Sequence, residues 1–321
     1  MKAIVQDGYG APDVLELRDI DRPVAGDDDV FVRVLAAALN PLDWHLMRGL
    51  PYIARMAFGM RKPSPSVRGL DMAGQVEAVG KNVTRFHPGD DVFGTANGAF
   101  AEYVCAGEKN LAAKPARLTF EQAAATPVAG CTALQALRDV AKVQPGQRVL
   151  INGASGGVGT FAVQIGKWLG AEVTGVCSTR NIEMVRSIGA DHVIDYTRVD
   201  FSRSGERYDV VLDNMYRSIS DCRRALAPEG AVVLNGGTAG RWIDGIGRNV
   251  KGSFLSKFVS HRLASFLAQI TNEDLVVLKE LIEAGKVTPV VDRTYPLSET
   301  PDAMRYLEAG HARGKVVITV R

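Results

Sequence analysis

The chain has 321 residues, more than one hydrophobic core usually supports, so we expect two domains. Its 46% hydrophobic and 23% charged residues are typical of a globular protein, and a net charge of +2 gives no reason to expect nucleic acid as a partner. No apolar run approaches the roughly 18 residues that a membrane span needs.

The cysteines and the first residues indicate the compartment. The four cysteines are widely spaced and form no CxxC pair, as in a reduced cytosolic protein. The opening MKAIVQ is strand-like, which argues against a signal peptide. We therefore expect a cytoplasmic protein.

From Met1 to about Leu118, short strand-like segments alternate with turn sequences. The segments are KAIVQ, VLELRDI, VFVRVLAAAL, GQVEAVG, DVFG and FAEYVC. Pro-Gly-Asp at 88–90 and Asn-Gly at 97–98 are typical of turns. Many short strands at close spacing predict a compact, barrel-like β domain.

The stretch 148–178 has the pattern of a strand, a glycine turn, a helix and a second strand, which is one βαβ unit. Residues 149–151 form an all-apolar run, as expected for a parallel strand covered on both faces. Apolar residues then recur at helical spacing, which predicts a helix with one face on the sheet. They are Phe161, Ile165, Trp168 and Leu169.

The glycine turn of this unit is the candidate phosphate-binding site. Gly156 would let the backbone approach a pyrophosphate, Gly159 would let the helix pack closely, and the helix N-terminus would offer free N–H groups. Ala154 breaks the strict GxGxxG pattern, so a tight turn without a ligand is the alternative; the βαβ context favours binding. The assigned residues are Ala154, Ser155, Gly156, Gly157, Val158 and Gly159.

Beyond this unit, strand-like and helical segments continue to alternate. The strand candidates are HVIDY (192–196), DVVLDN (209–214) and AVVLNG (231–236). The alternation predicts a parallel, doubly wound sheet. The basic and apolar stretch 240–268 is compatible with helix packing, a dimer surface or a lid over a substrate pocket. The final KVVITV suggests that the C-terminus returns to the β domain.

Six stretches spread over nearly the whole chain support a family resemblance. They are NPLDWHLMRG (40–49), RGLDMAGQVEAVG (68–80), GAFAEYV (98–104), AAATPVAGCTALQAL (123–137), VQPGQRVLINGASGGVGTFAVQIGKWLGA (143–171) and GKVVIT (314–319). The chain resembles medium-chain dehydrogenase/reductases, specifically the zinc-free quinone-oxidoreductase-like branch. The resemblance implies an α/β fold: a GroES-like β-barrel domain at 1–122 and 287–321, and a Rossmann domain with a doubly wound parallel sheet at 123–286. It also implies a homodimer, and nicotinamide and substrate meeting in a cleft between the domains.

Departures from the family pattern concern metal and local geometry. Zinc alcohol dehydrogenases of this superfamily use a cysteine, a histidine and a further cysteine or acid, and the matching positions here are Asn40, Leu70 and Val128. None is a usual zinc ligand, and the four-cysteine structural lobe is absent, so we expect no metal. After DVVLD, where the family has a small residue and a Gly-Asn pair, residues 214–216 are Asn-Met-Tyr. This difference affects the backbone beside the cofactor.

The end of the second βαβ strand predicts the cofactor. NAD enzymes place an acid there for the ribose 2′-OH, but residues 177–181 contain none. The Ser178 hydroxyl and the Arg180 guanidinium suit a 2′-phosphate, although Arg180 is alternatively a solvated helix-start residue. In similar reductases a tyrosine after the third strand contacts that phosphate, and Tyr196 matches it. We predict NADPH, and also assign Thr132 and Gly236 to the cofactor site.

The candidate catalytic residues are Asn40, His45 and Tyr52. Asn40 and Thr132 match cleft-lining positions of the family. His45 stands where relatives often have a tyrosine, and it is either a proton or hydrogen-bond donor to a substrate carbonyl or a structural histidine. Tyr52 has the same two interpretations. Asp43 and Asp71 are expected to hold the loops of the β domain.

These features predict a zinc-independent, NADPH-dependent reductase that passes hydride to a small-molecule acceptor, a quinone or a conjugated carbonyl. A quinone is favoured because solvent can protonate the hydroquinone anion, whereas an enolate gains more from a placed donor. The alternative is an NADPH-binding sensor or structural protein with little turnover. A zinc-type alcohol dehydrogenase is a third and less favoured interpretation.

Overall fold

A computed structural model describes residues 1–235 and 261–320. The strands are β1 Lys2–Gln6, β2 Leu15–Asp19, β3 Asp29–Ala38, β4 Asp71–Val79, β5 Asp91–Thr95, β6 Tyr103–Gly107, β7 Leu111–Ala113, β8 Arg148–Asn152, β9 Glu172–Cys177, β10 His192–Asp195, β11 Tyr208–Asp213, β12 Leu226–Leu234, β13 Arg262–Ser265, β14 Val291–Pro296 and β15 Lys315–Thr319. The α-helices are α1 Pro41–Arg48, α2 Arg55–Phe58, α3 Phe120–Ala124, α4 Pro127–Leu134, α5 Gly157–Trp168, α6 Ile182–Ser187, α7 Ile219–Arg224, α8 Asn272–Glu283 and α9 Thr300–Glu308. None of the helices in these ranges is long and apolar enough to cross a membrane.

The chain forms two compact units. Unit 1 consists of Met1–Cys131, Gln269–Gly285 and Pro289–Arg321. Unit 2 consists of Thr132–Ala268 and Lys286–Thr288. The sequence-based boundaries assigned 123–286 to the nucleotide-binding domain, whereas contacts group α8 with unit 1, where the Asn272 amide donates to the Leu111 carbonyl at 2.6 Å. The predicted boundaries stay a prediction.

Unit 1 is built on a seven-stranded sheet. Its order is β14-β15-β3-β4-β5-β7, and β6 also pairs with β3. Along β3, Val30, Val32 and Val34 are buried while Arg33 between them is exposed, the alternation that a half-covered strand shows. β15 pairs antiparallel with β3, so the last strand lies in the same sheet as β3.

Unit 2 contains a six-stranded sheet of order β10-β9-β8-β11-β12-β13, with every pair parallel. The chain runs outward from β8 in one direction and then continues from β11 in the other, which makes β8 and β11 the topological switch point of a doubly wound sheet. The predicted α/β fold class is confirmed. On α5, Phe161 and Ile165 are buried, but Trp168 is 40% exposed, so the packed face ends before the last turn.

Candidate active site

The glycine turn after β8 has an open surface and a tightly packed base. Backbone φ is +81° at Gly153, which favours glycine. A Cβ on Gly159 would lie 2.1 Å from the Gly153 carbonyl oxygen, so a side chain there would push α5 off the turn. A Cβ on Gly156 would meet only that same oxygen, at 3.5 Å. The backbone at Gly156 is therefore open to a ligand.

The first turn of α5 has backbone N–H groups without an acceptor in the helix. The first bond of the helix runs from the Thr160 N–H to the Gly156 carbonyl at 2.9 Å. The N–H groups of residues 157–159 precede that bond and lack intrahelical acceptors. Ala154 is fully buried and its own N–H donates to the Val176 carbonyl at 3.0 Å, so it adds no donor to the free N–H groups of residues 157–159. Together these groups form an anion cradle of the kind that binds pyrophosphate.

Asn181 connects this turn to the end of β9. Its side chain is 4% exposed, and its Nδ2 donates to Ser155 Oγ at 3.0 Å and to Ser178 Oγ at 3.2 Å. The structure thus brings together two serines that the sequence assigned separately. Sequence analysis missed Asn181 because an asparagine before a helix is usually only a cap.

The third strand brings a carboxylate to the same edge. In the parallel register Asp195 lies opposite Cys177, and its carboxylate accepts from Thr179 Oγ1 at 2.5 Å. The Thr179 hydrogen bond is the main cause that lowers the pKa of Asp195, so the carboxylate is charged at neutral pH. Arg180 and Tyr196 are exposed beside it. The search for an acid in 177–181 could not find Asp195, because it comes from another strand.

Side-chain amides join the strand ends at the switch point. Asn152 Nδ2 donates to Asp213 Oδ1 at 2.8 Å, and Asn214 Nδ2 donates to the Asn152 carbonyl at 3.1 Å. Asn235 Nδ2 completes the chain by donating to Asn214 Oδ1 at 2.7 Å. The carboxyl ends of β8, β11 and β12 are therefore fixed to each other where open α/β sheets bind ligands.

In unit 1, Asn40 belongs to a buried polar cluster. Its side chain is 3% exposed; Nδ2 donates to Asp71 Oδ2 at 2.9 Å, and Oδ1 accepts from Lys315 Nζ at 2.6 Å. Lys315 Nζ also donates to Asp71 Oδ2 at 3.1 Å and to the Leu39 carbonyl at 2.9 Å. These bonds leave Asn40 one amide hydrogen and give it a structural role at the start of α1.

The two buried acids hold loops, as predicted. Asp43 closes a capping box by accepting from the Asn40 N–H at 2.8 Å, and Asp71 accepts from the Val128 N–H at 3.0 Å. Burial raises the pKa of Asp43 to about 7. Burial also raises the pKa of Asp71, against the opposing effect of the Lys315 ammonium. Both carboxyl groups are thus hydrogen-bonded to backbone or side-chain donors within unit 1.

The other two catalytic candidates also lie in unit 1. His45 is half-buried on α1 with its ring against Trp44, and its buried Nδ1 has no partner among the described residues. Burial lowers the pKa of His45, so the imidazole is neutral at pH 7 and donates from one nitrogen only. Tyr52 starts a 3₁₀ turn, with the Arg55 guanidinium 4.8 Å above its ring. Their catalytic roles stay predictions.

Comparison with known proteins adds the family. Residues 26–116 match the alcohol dehydrogenase GroES-like domain, and residues 188–318 match a family described as zinc-binding dehydrogenase. The mitochondrial NAD(P)H oxidoreductase RTN4IP1 of Mus musculus is 35% identical, over 100% of this chain and 89% of its own length. The chain belongs to the medium-chain dehydrogenase/reductase superfamily, in its quinone-oxidoreductase-like branch.

Two further members of the superfamily are similar over nearly the whole chain. The chloroplastic NADPH-dependent alkenal/one oxidoreductase of Arabidopsis thaliana is 35% identical, covering 99% of this chain and 79% of its own. The solved quinone oxidoreductase of Coxiella burnetii is 33% identical, with a TM-score of 0.88 over 100% of this chain and 99% of that one. The predicted family and fold are confirmed.

Against the superfamily pattern, the unusual residues 214–216 have a defined geometry here. The Met215 side chain packs on Gly153, since a Cβ on that glycine would lie 2.7 Å from Met215 Cγ. Tyr216 has a φ of +59°, a left-handed backbone that favours glycine. This chain therefore places Met215, which is 61% exposed, against Gly153 of the glycine turn.

Thr132 and Gly236 are the two remaining residues assigned to the cofactor site. Thr132 is 6% exposed at the end of α4, in unit 2, together with the glycine turn, Ser178, Arg180 and Tyr196. Gly236 and most of the segment 240–268 lie outside the described residues. The structure places the predicted cofactor residues that it describes in unit 2 and the three catalytic candidates in unit 1.

Proposed function

We propose that this chain is a zinc-independent, NADPH-dependent reductase that passes hydride to a quinone or a conjugated carbonyl. The coarser assignment, an oxidoreductase with a nicotinamide cofactor, agrees with its relatives in the superfamily. The acceptor class is supported by the relatives' names, which include quinone and alkenal/one oxidoreductases. A homodimer and a cytoplasmic location stay predictions, and the two curated relatives described above have organellar names.

The observation that supports this function best is the state of Asn40 at the first zinc-ligand position. Its side-chain amide is bonded to Asp71 and to Lys315. The positive Lys315 ammonium would repel a metal cation at this position. Leu70 and Val128, at the other two positions, have no donor atom. Within 1–235 and 261–320, no three His, Cys, Asp or Glu side chains are grouped to hold a metal. An acceptor that needs no Lewis acid fits this donor set.

The residues of unit 2 fit the dinucleotide. The open backbone at Gly156 and the N–H groups of residues 157–159 suit its pyrophosphate. Ser155, Ser178 and Arg180 suit a 2′-phosphate, since hydroxyls and a guanidinium donate to phosphate oxygens. When bound, the nicotinamide supplies the hydride. The ionised Asp195 carboxylate repels a 2′-phosphate by like charge. The preference for NADPH over NADH therefore depends on whether the hydroxyls and the guanidinium outweigh this repulsion.

The acceptor's oxygen must be stabilised as it gains charge. A neutral His45 offers it a hydrogen bond and not a mobile proton, since burial lowers its pKa. The Tyr52 hydroxyl is a second candidate donor in the same unit. Quinone reduction can take its proton from solvent, so this pair of weak donors suits a quinone better than an enone.

The alternative, a sensor or structural protein that binds NADPH with little turnover, would use the same unit 2 residues. A panel of quinones and enones, tested for NADPH oxidation with purified full-length protein, separates the two. Turnover well above background supports the reductase. Tight NADPH binding without turnover of any acceptor would support the sensor.

Elemental analysis and chelation belong to the same experiment. We expect activity to survive EDTA and the protein to contain no stoichiometric zinc. Zinc at one equivalent, with activity lost on chelation and restored by zinc, would reject the zinc-independent reductase.

A further inference from the structure

Asn181 has an unusual distribution of hydrogen bonds for a buried amide. Both of its Nδ2 contacts are serine hydroxyl oxygens, Ser155 Oγ at 3.0 Å and Ser178 Oγ at 3.2 Å. Its Oδ1 is buried and has no partner among the described residues. Buried polar atoms are nearly always paired, so an unpaired one between the glycine turn and the end of β9 indicates a functional constraint.

The orientation of the amide decides what the serines can do. A hydroxyl that accepts from Nδ2 keeps its own hydrogen free to donate elsewhere. Within the described residues, neither the Ser155 nor the Ser178 hydroxyl donates to a protein acceptor. The opposite amide orientation would pair Oδ1 with these hydroxyls and consume both hydrogens. The orientation found here leaves one acceptor unpaired and two donors available.

Both hydroxyls lie within hydrogen-bond distance of one nitrogen, so their free hydrogens serve one small region. That region lies between the glycine turn after β8 and the end of β9, beside Arg180. A phosphate accepts several hydrogen bonds at once, whereas a ribose hydroxyl accepts few. A pair of oriented donors therefore discriminates between the two ligands.

We infer that Asn181 is a positioning residue that fixes the Ser155 and Ser178 hydroxyls as donors to the 2′-phosphate of NADPH. The inference rests on the proposed NADPH preference and gives it a physical origin in addition to Arg180. Because Asn181 is buried and held by both serines, the donors are oriented before the ligand arrives, and little side-chain freedom is lost on binding.

The test compares 2′,5′-ADP with 5′-AMP, which lacks the 2′-phosphate, by isothermal titration calorimetry on the full chain. We expect the wild type to bind 2′,5′-ADP at least about tenfold more tightly. Asn181→Ala should reduce this ratio about fivefold to tenfold, the effect of losing oriented neutral hydrogen bonds. Asn181→Asp should reduce it further, because a carboxylate accepts both hydroxyl hydrogens and repels the phosphate. Binding of 5′-AMP should change less than about twofold.

Ser187→Ala is the matched control, since that exposed hydroxyl on α6 donates to the Met184 carbonyl of its own helix. If Asn181→Ala does not fold, Ser155→Ala and Ser178→Ala must each lower the ratio on their own. Equal weakening of both nucleotides, or an unchanged ratio in a wild type that prefers 2′,5′-ADP, would overturn the role of Asn181. A wild type without any preference would instead overturn the proposed NADPH specificity, and the inference with it.

Discussion

Each unit contains a buried asparagine between two polar partners, and the two clusters differ in what they leave unused. In unit 1, Asn40 is bonded to Asp71 and to Lys315, which also pair with each other. In unit 2, Asn181 bonds two serines whose hydroxyl hydrogens stay available. A closed cluster stabilises a fold, whereas an open one can bind a ligand. Residue type alone does not distinguish them.

The largest expected effect tests whether the unit 1 cluster is structural. Lys315→Met leaves Asp71, which has no exposed surface, without its cation, and breaking a buried ion pair typically costs about 3–5 kcal/mol. We expect a loss of that order in the free energy of unfolding, measured by urea titration. Lys279→Met, which removes a partly exposed pair with Glu283, is the control and should cost less than about 1 kcal/mol. A loss as small as the control's would show that the cluster is not essential to stability.

The second prediction tests whether the unit 2 edge is a ligand site. Arg180→Ala should weaken NADPH binding about tenfold to a hundredfold and leave NADH nearly unchanged, because a charge-assisted contact to phosphate is lost. Dissociation constants from fluorescence titration measure this. Arg186→Ala, whose guanidinium pairs with Glu183, is the control. An equal loss for both cofactors would mean that Arg180 does not contact the 2′-phosphate.

The third prediction uses pH to probe Asp43, the buried acid that accepts from the Asn40 N–H beside the unit 1 cluster. Burial raises the pKa of Asp43 from 3.8 to about 7, so the folded state holds a proton that the unfolded state releases above about pH 4. This contribution to stability is complete below pH 4 and is lost as the pH rises to about 7. Relative to Asp43→Asn, the wild type should therefore lose on the order of 2–3 kcal/mol between pH 5 and pH 8. A difference that does not change with pH would place the pKa of Asp43 near its ordinary value.

The smallest expected effect, that on quinone turnover, concerns His45, the half-buried residue of unit 1 whose Nδ1 has no partner among the described residues. Because burial lowers its pKa, His45 is a hydrogen-bond donor and not an acid at pH 7. His45→Phe should slow quinone turnover less than about tenfold, while enone turnover falls more, since one placed donor is often worth about a hundredfold. Steady-state rates with both acceptors measure this. Abolished quinone reduction with intact NADPH binding would rule out solvent as the proton source.

The sequence by itself determined the local units of this protein. The βαβ pattern, the roles of Gly156 and Gly159, and the alternation of strand and helix depend on neighbours within a few residues, so periodicity and glycine spacing predict them. The family motifs, in order along the chain, predicted the two-part α/β fold. The absence of zinc ligands at the family's positions was also visible there.

Only the tertiary structure decided which polar groups are hydrogen-bonded within the protein and which can still bind a ligand. The bond from Lys315 to Asn40 joins residues 275 positions apart, and the bond from Asn181 to Ser155 spans 26. Asp195 meets Thr179 because two parallel strands are in register, and a search for acids along the second strand could not find it. Hydrogen-bond capacity is settled by partners that the fold brings from distant positions. For that reason the sequence proposed Asn40 for catalysis and overlooked Asn181.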